Sequence, residues 1–131
     1  MTELSSVPCI ASISAGFPSP AEDFTELSIS LDKHLIQNPA ATFMAYANGK
    51  SMVQSGIHHG DILIIDRSLN AQDGDVIISV INGEFAVKKI SIMNDELFLV
   101  SQNSQYTPMK ISDDMDFEVW GIVTYSIRKH R

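Results

Sequence analysis

The chain has 131 residues, of which 44% are hydrophobic and 19% charged, as in an ordinary soluble globular protein. Its formal net charge of −7 gives no support to direct nucleic-acid binding, which needs a basic face. The basic segment 128–131 could form a local basic patch, or it is a solvated tail. The single cysteine, Cys9, rules out an internal disulfide, and no apolar run reaches the roughly 18 residues of a membrane span. We therefore expect a cytoplasmic protein without membrane contact.

The first 27 residues differ in composition from the rest of the chain. They are rich in Ser, Pro and Ala and show neither a helical nor a strand period, which predicts a flexible N-terminal arm ahead of a folded domain at 28–131. Pro18 and Pro20 favour an extended backbone in this arm. An extended segment of small residues beside a folded domain is also what a peptidase cleft binds, strand against strand.

Beyond the arm the sequence favours strands. Residues 27–38 predict a short strand and a helical turn that ends before Pro39, while Asn82-Gly83 and Asn94-Asp95 predict hairpin turns and Gly121 a bend or bulge. The predicted strands are 42–47, 61–66, 75–81, 84–90, 96–101 and 117–127. Because no stretch predicts a helix of about ten residues or more, we expect a mainly β fold, either a coiled sheet or a flattened barrel.

One serine stands where a nucleophile could be presented. In the segment 48–52, Ser51 follows a predicted strand and a glycine, so its hydroxyl can reach the edge of a cleft. The backbone amides of Lys50 and Ser51 can point at one spot and form an oxyanion hole. These five residues alone fit a Gly-Ser turn better than an active site, and a serine hydroxyl needs a base before it becomes a useful nucleophile.

Histidine is the usual base, but the four histidines offer no evident Asp/His/Ser arrangement; they are His34, His58, His59 and His130. His58 and His59 are adjacent, so on an extended segment they point in opposite directions and make a poor metal pair. We expect neither a metal nor another cofactor.

Lysine is the other base that serves a serine, because burial favours its neutral form. Lys88 and Lys89 lie in the predicted strand 84–90, and strand alternation sends their side chains to opposite faces. Both faces carry apolar residues, so one lysine sits in an apolar setting, although periodicity does not say which. An edge-strand lysine that blocks aggregation is the alternative interpretation.

Five segments in order along the chain resemble the LexA/UmuD family of self-cleaving serine–lysine peptidases. They are AGFPSPA at 15–21, GKSM at 49–52, GDILIID at 60–66, GDV at 74–76 and GEFAVKK at 83–89. The Gly-x-Ser-Met match alone is weak, whereas five ordered segments with consistent spacing are specific. The resemblance implies the coiled-sheet or flattened-barrel β fold of the family's peptidase domain.

The resemblance also implies a role for particular residues. Ser51 aligns with the family nucleophile and Lys88 with the family base, and the cut falls between Ala15 and Gly16. UmuD itself has Cys-Gly at the cut, so Ala-Gly is similar to LexA. Lys50 stands where many relatives have Asp or another polar residue, a difference that should be tolerated because the position contributes its amide.

The partners follow from the resemblance as well. Members similar to UmuD form homodimers, cleave themselves when stimulated by RecA filaments on single-stranded DNA, and then join a UmuC-like Y-family polymerase for error-prone translesion synthesis. About fifteen residues before the cut are too few for a LexA-type DNA-binding domain, so a repressor is not expected. Two alternatives are a signal-peptidase-like enzyme, which should have a membrane anchor, and a non-enzymatic β-domain adaptor that binds a polymerase or RecA filament.

Overall fold

The computed structural model describes residues 6–8, 13, 15–16, 28–49, 52–101 and 107–131. Cys9, the segment 18–20, Lys50 and Ser51 lie outside these ranges. The strands are β1 (Ser6–Pro8), β2 (Ser28–Ser30), β3 (Thr42–Tyr46), β4 (Ile62–Asp66), β5 (Val76–Ile81), β6 (Glu84–Met93), β7 (Glu96–Val100), β8 (Met109–Lys110) and β9 (Phe117–Ile127). The helices are α1 (Leu31–Leu35) and the 3₁₀ helices Pro39–Ala41 and Val53–Ser55.

Contacts divide the chain into two compact units, Met1–Gln37 and Asn38–Arg131. In the first unit β1 pairs antiparallel with β2, and α1 begins directly after β2. The Ser30 side chain accepts a hydrogen bond from the backbone N–H of Lys33 and so caps the helix. The predicted strand and helical turn are confirmed, whereas β1 was not predicted. The division into an arm at 1–27 and a domain at 28–131 stays a prediction.

The second unit contains one sheet of antiparallel strands in the order β3-β4-β9-β5-β6-β7-β8. The prediction of a mainly β fold is confirmed. Of the two predicted forms, the structure has the open sheet, because within the described residues β3 and β8 are edges that do not pair to close a barrel. The strand that comes last, β9, lies in the interior between β4 and β5. No helix in the described part of the chain is long and apolar enough to cross a membrane.

The two predicted hairpin turns are confirmed. Asn82 and Gly83, between β5 and β6, have φ of 51° and 80°, and Asn94 and Asp95, between β6 and β7, have φ of 52° and 62°. Two successive positive φ angles match the right-handed twist of the flanking strands, which is why Asn, Asp and Gly mark such turns in a sequence.

β9 departs from regular pairing at two places. Against β5 the extra residue is Trp120, between Val119 and Gly121, and against β4 it is Thr124. The bulge predicted at Gly121 is thus confirmed within one residue. A Cβ atom built on Gly121 would lie 2.5 Å from Cγ2 of Ile65, so the close approach of β9 to β4 requires glycine here.

The core contains two clusters of buried side chains. Ile77 and Ile78 are neighbours in β5 but belong to different clusters, because successive side chains of a strand point to opposite faces. The first cluster includes Met52 and Leu63, and the second includes Ile77 and Ile90. Buried side chains therefore lie on both faces of the sheet.

Candidate active site

Lys88 lies in the interior strand β6, between β5 and β7. On the β5 side it pairs with Ile77, which is 0% exposed. On the β7 side it lies opposite Ser101, one residue beyond the Lys89–Val100 pair. The Nζ of Lys88 donates a hydrogen bond to the Oγ of Ser101 over 2.6 Å. Burial lowers the pKa of the Lys88 ammonium from its ordinary value.

These contacts settle two questions that the sequence left open. The edge-strand interpretation of the lysine pair is wrong, because β6 has hydrogen-bonded neighbours on both sides. Lys88 shares its face with the buried Ile77 and Ile90, and burial lowers the pKa of its ammonium. The structure thus identifies Lys88 as a lysine in an apolar setting.

The segment that carries the predicted nucleophile borders the same strand. Lys50 and Ser51 are outside the described residues, but their chain neighbours Gly49 and Met52 both line a cavity of about 140 Å³. The other residues of its wall are Ala47, Asn48, Ile57, Phe85, Ala86 and Val87. Because residues 85–87 directly precede Lys88 in β6, the Gly49 and Met52 flanks lie beside the strand that carries the lysine.

Backbone hydrogen bonds fix the chain ahead of this segment. The N–H of Ala47 donates to the carbonyl of Asp61 over 2.8 Å, and the N–H of Gly60 donates to the carbonyl of Ala47 over 2.8 Å. The N–H of Gly49 donates to Nδ1 of His59 over 3.1 Å. The loop 56–61 therefore holds residues 47–49 in place.

That loop is itself anchored by the end of β9. Nε of Arg128 donates to Oδ1 of Asp61 over 3.2 Å, and Nη2 of Arg128 donates to the carbonyl of Gly56 over 2.8 Å and also contacts Nδ1 of His58. Asp61 is only 3% exposed, and the Arg128 hydrogen bond, followed by the backbone N–H of His58, lowers the pKa of its carboxyl. Arg128 is therefore an exposed residue that anchors the loop through the buried Asp61, and sequence patterns missed it because 67 positions separate the two side chains.

An apolar groove of about 400 Å³ adjoins the smaller cavity. The two share part of their walls, and the groove is lined by Phe43, Met44, Ala45, Tyr46, Asn48, Leu63, Ile65, Ile78, Phe85, Ala86, Val87 and Trp120. The bulge in β9 presents Trp120 to this groove, where its ring centre lies 5.2 Å from that of Phe43 and 5.9 Å from that of Phe85. The groove runs beside β3, whose outer edge pairs with no other described strand, and a strand edge of this kind suits an extended peptide.

The remaining predicted site residues are more exposed. Ala15 and Gly16, on either side of the predicted cut, are both exposed, and Gly16 has a φ of 97°. Within the described ranges, no three His, Cys, Asp or Glu side chains are grouped as metal ligands would be.

Comparisons with known proteins bear on this arrangement. The peptidase S24-like family profile matches residues 8–124. Protein MucA of Salmonella typhimurium is 36% identical over 119 residues, which cover 90% of this chain and 81% of MucA. Protein ImpA of Shigella flexneri is 38% identical over 118 residues, covering 89% and 79%. The LexA repressor of Stenotrophomonas maltophilia is 28% identical over 125 residues, which cover 95% of this chain and 59% of the repressor.

The chain therefore belongs to the peptidase S24-like family of serine peptidases. Its similarity to MucA and ImpA over most of their length makes it, within that family, a UmuD-like SOS mutagenesis protein. The resemblance drawn from five short segments is confirmed.

Proposed function

We propose that this chain cleaves its own backbone between Ala15 and Gly16, with Ser51 as nucleophile and Lys88 as general base. The observation that carries the proposal is the setting of Lys88, in an interior strand with apolar neighbours and a lowered pKa. The three residues that precede it in β6 line a cavity whose wall includes both flanks of the Lys50–Ser51 pair. Burial favours the neutral form of the Lys88 amine, which is the form that accepts a proton.

The proposed reaction needs no cofactor. Neutral Lys88 takes the proton of the Ser51 hydroxyl while Oγ attacks the carbonyl carbon of Ala15. The backbone amides of Lys50 and Ser51 stabilise the oxyanion, and the Lys88 ammonium returns the proton to the departing amine of Gly16. Water then hydrolyses the ester between Ser51 and Ala15, and the shortened chain begins at Gly16.

The apolar groove supports binding of the arm as an extended peptide. Its walls are apolar, and Phe43, Tyr46 and Phe85 are exposed, so a short apolar segment gains by covering them. The docked arm would also exclude water from Lys88 and lower its pKa further. We infer that docking is the control point, and that a RecA filament on single-stranded DNA stimulates cleavage by favouring the docked state.

The partners proposed for the shortened chain come from the family. We propose that it forms a homodimer and joins a UmuC-like Y-family polymerase as a subunit of an error-prone translesion polymerase. A second candidate, a non-enzymatic adaptor for a polymerase or filament, is favoured by the same exposed aromatic groove, which can bind a partner without any cleavage.

The test follows the intact mass of the purified chain at several pH values, alone and with RecA on single-stranded DNA. We expect loss of residues 1–15 at a rate that rises with pH until Lys88 is fully deprotonated, because the ammonium cannot accept a proton. Ser51→Ala and Lys88→Ala should abolish cleavage, and Lys89→Ala, the neighbouring lysine, should retain it. A rate that falls from mildly acidic to alkaline pH contradicts a lysine base, and a chain that stays intact throughout favours the adaptor.

A further inference from the structure

A buried serine lies against the proposed base. Ser101 directly follows β7, is 8% exposed, and accepts a hydrogen bond from Nζ of Lys88 over 2.6 Å. The apolar residues Ile77 and Leu99 are buried on the same face. Ser101 therefore places a polar atom within hydrogen-bond distance of the amine of Lys88.

The chemistry of a lysine base explains what such a hydroxyl can do. A neutral amine has a single lone pair, and four flexible methylenes give no fixed direction to it. A hydroxyl accepts a hydrogen bond from the amine and from the ammonium alike, so it can hold Nζ through both halves of a proton transfer. Unlike a carboxylate, it adds no negative charge that would keep the lysine protonated.

We propose that Ser101 is a positioning residue, whose Oγ holds Nζ of Lys88 so that the lone pair of the neutral amine faces the hydroxyl that it deprotonates. This inference rests on the proposed function of Lys88. Ser101 acts only through the lysine and does not touch the reacting peptide bond.

The test is the pH–rate profile of self-cleavage for Ser101→Ala beside the parent chain. We expect the plateau rate at high pH to fall by roughly tenfold to a hundredfold, because the base is no longer held in line. The midpoint should also move to lower pH, since the ammonium loses a hydrogen-bond acceptor. Ser101→Thr, which keeps the hydroxyl, should restore most of the rate.

Ser79→Ala is the matched control. Ser79 is 0% exposed on the same sheet face, and its Oγ donates to the carbonyl of Ala86 over 3.1 Å. We expect this variant to lose stability without a shift of the midpoint. If Ser101→Ala fails to fold by circular dichroism, Ser101→Cys, which is close to serine in size and a weak acceptor, takes its place with the same expected directions.

The outcomes distinguish the positioning role of Ser101 from the proposed self-cleavage by Ser51 and Lys88. A Ser101→Ala profile equal to that of the parent overturns the positioning role and leaves the Ser51–Lys88 mechanism intact. A midpoint that moves to higher pH also overturns it, because it shows that the substitution only admits water to Lys88. A parent chain that never cleaves itself overturns the proposed function, and the role of Ser101 with it.

Discussion

The setting of Lys88 depends on residues far away in the sequence. Strand alternation reduced the choice to two adjacent lysines, but the choice between them required the pairing of β6 with both neighbours. Ile77 comes from one neighbouring strand, and Ser101 follows the other. No local pattern encodes that pairing, which is why the sequence alone could not assign the lowered pKa to Lys88.

A second residue-scale feature is the anchor between Arg128 and the buried Asp61. We expect Arg128→Ala to lower the melting temperature by several degrees near neutral pH, because Asp61 would keep its charge in a buried place without its guanidinium. The variant should also cleave itself more slowly, since the loop 56–61 holds residues 47–49. Thermal unfolding and intact-mass kinetics measure the two effects, and Lys129→Ala, at an exposed neighbouring position, is the control.

The sign of the pH dependence follows from the lowered pKa of Asp61. A carboxyl whose folded pKa is depressed stabilises the fold above its unfolded pKa, here 3.8, and loses that contribution as the pH falls through the folded value. The difference between the parent and Arg128→Ala should therefore be constant near neutral pH and shrink only in strong acid. A difference that disappears already at mildly acidic pH would contradict the assignment to Asp61.

At the scale of the elements, β9 approaches β4 so closely that Gly121 lies against Ile65 with no room for a Cβ atom. We expect Gly121→Ala to reduce the free energy of unfolding by about 1–3 kcal/mol, as overpacking of a core does. Chemical denaturation followed by circular dichroism measures it. Thr124→Ala, at the exposed second bulge, removes a 3.3 Å hydrogen bond to the carbonyl of Ile64 and should change the value by only about 0.5 kcal/mol. Equal effects at both positions would show that the loss of stability comes from disturbing a bulge, and not from the close approach of β9 to β4.

How well each element was predicted from the sequence depends on how local its signal is. The hairpin turns at 82–83 and 94–95 were predicted because Asn, Asp and Gly are the residues that adopt positive φ angles in such turns. This signal does not depend on which strands flank the turn. β1 and β8, of three and two residues, are too short to show a period and were not predicted. The order of strands was not predicted either, since β9 pairs with strands about 40 to 60 positions earlier in the chain.

At the scale of the whole molecule, charge argues against direct binding of DNA. The net charge is −7, and Arg128, the first residue of the basic segment 128–131, is held by Asp61 and the carbonyl of Gly56. We expect no binding of duplex or single-stranded DNA at about 0.15 M salt, measured by fluorescence anisotropy with labelled oligonucleotides. Tight binding that weakens steeply with added salt would contradict this expectation and point to an undetected basic surface.

The site as a whole was only partly predictable. Ser51, Lys88 and the Ala15-Gly16 bond were proposed from short ordered segments, whereas the groove, the Arg128 anchor and Ser101 were not. Each of these joins residues from strands that meet only in the folded sheet, as Phe43, Phe85 and Trp120 do in the groove. Short motifs therefore indicated which residues to consider, and the fold showed what surrounds them.

The position of β9 in the sheet also has a consequence for protein synthesis. This strand joins β4 to β5, yet among the described strands it is the last to leave the ribosome. Until it emerges, a nascent chain has neither Trp120 in the groove nor Arg128 against Asp61. The proposed cut between Ala15 and Gly16 precedes β9 in the chain, so a nascent chain that cleaves itself as proposed would do so only after β9 has emerged.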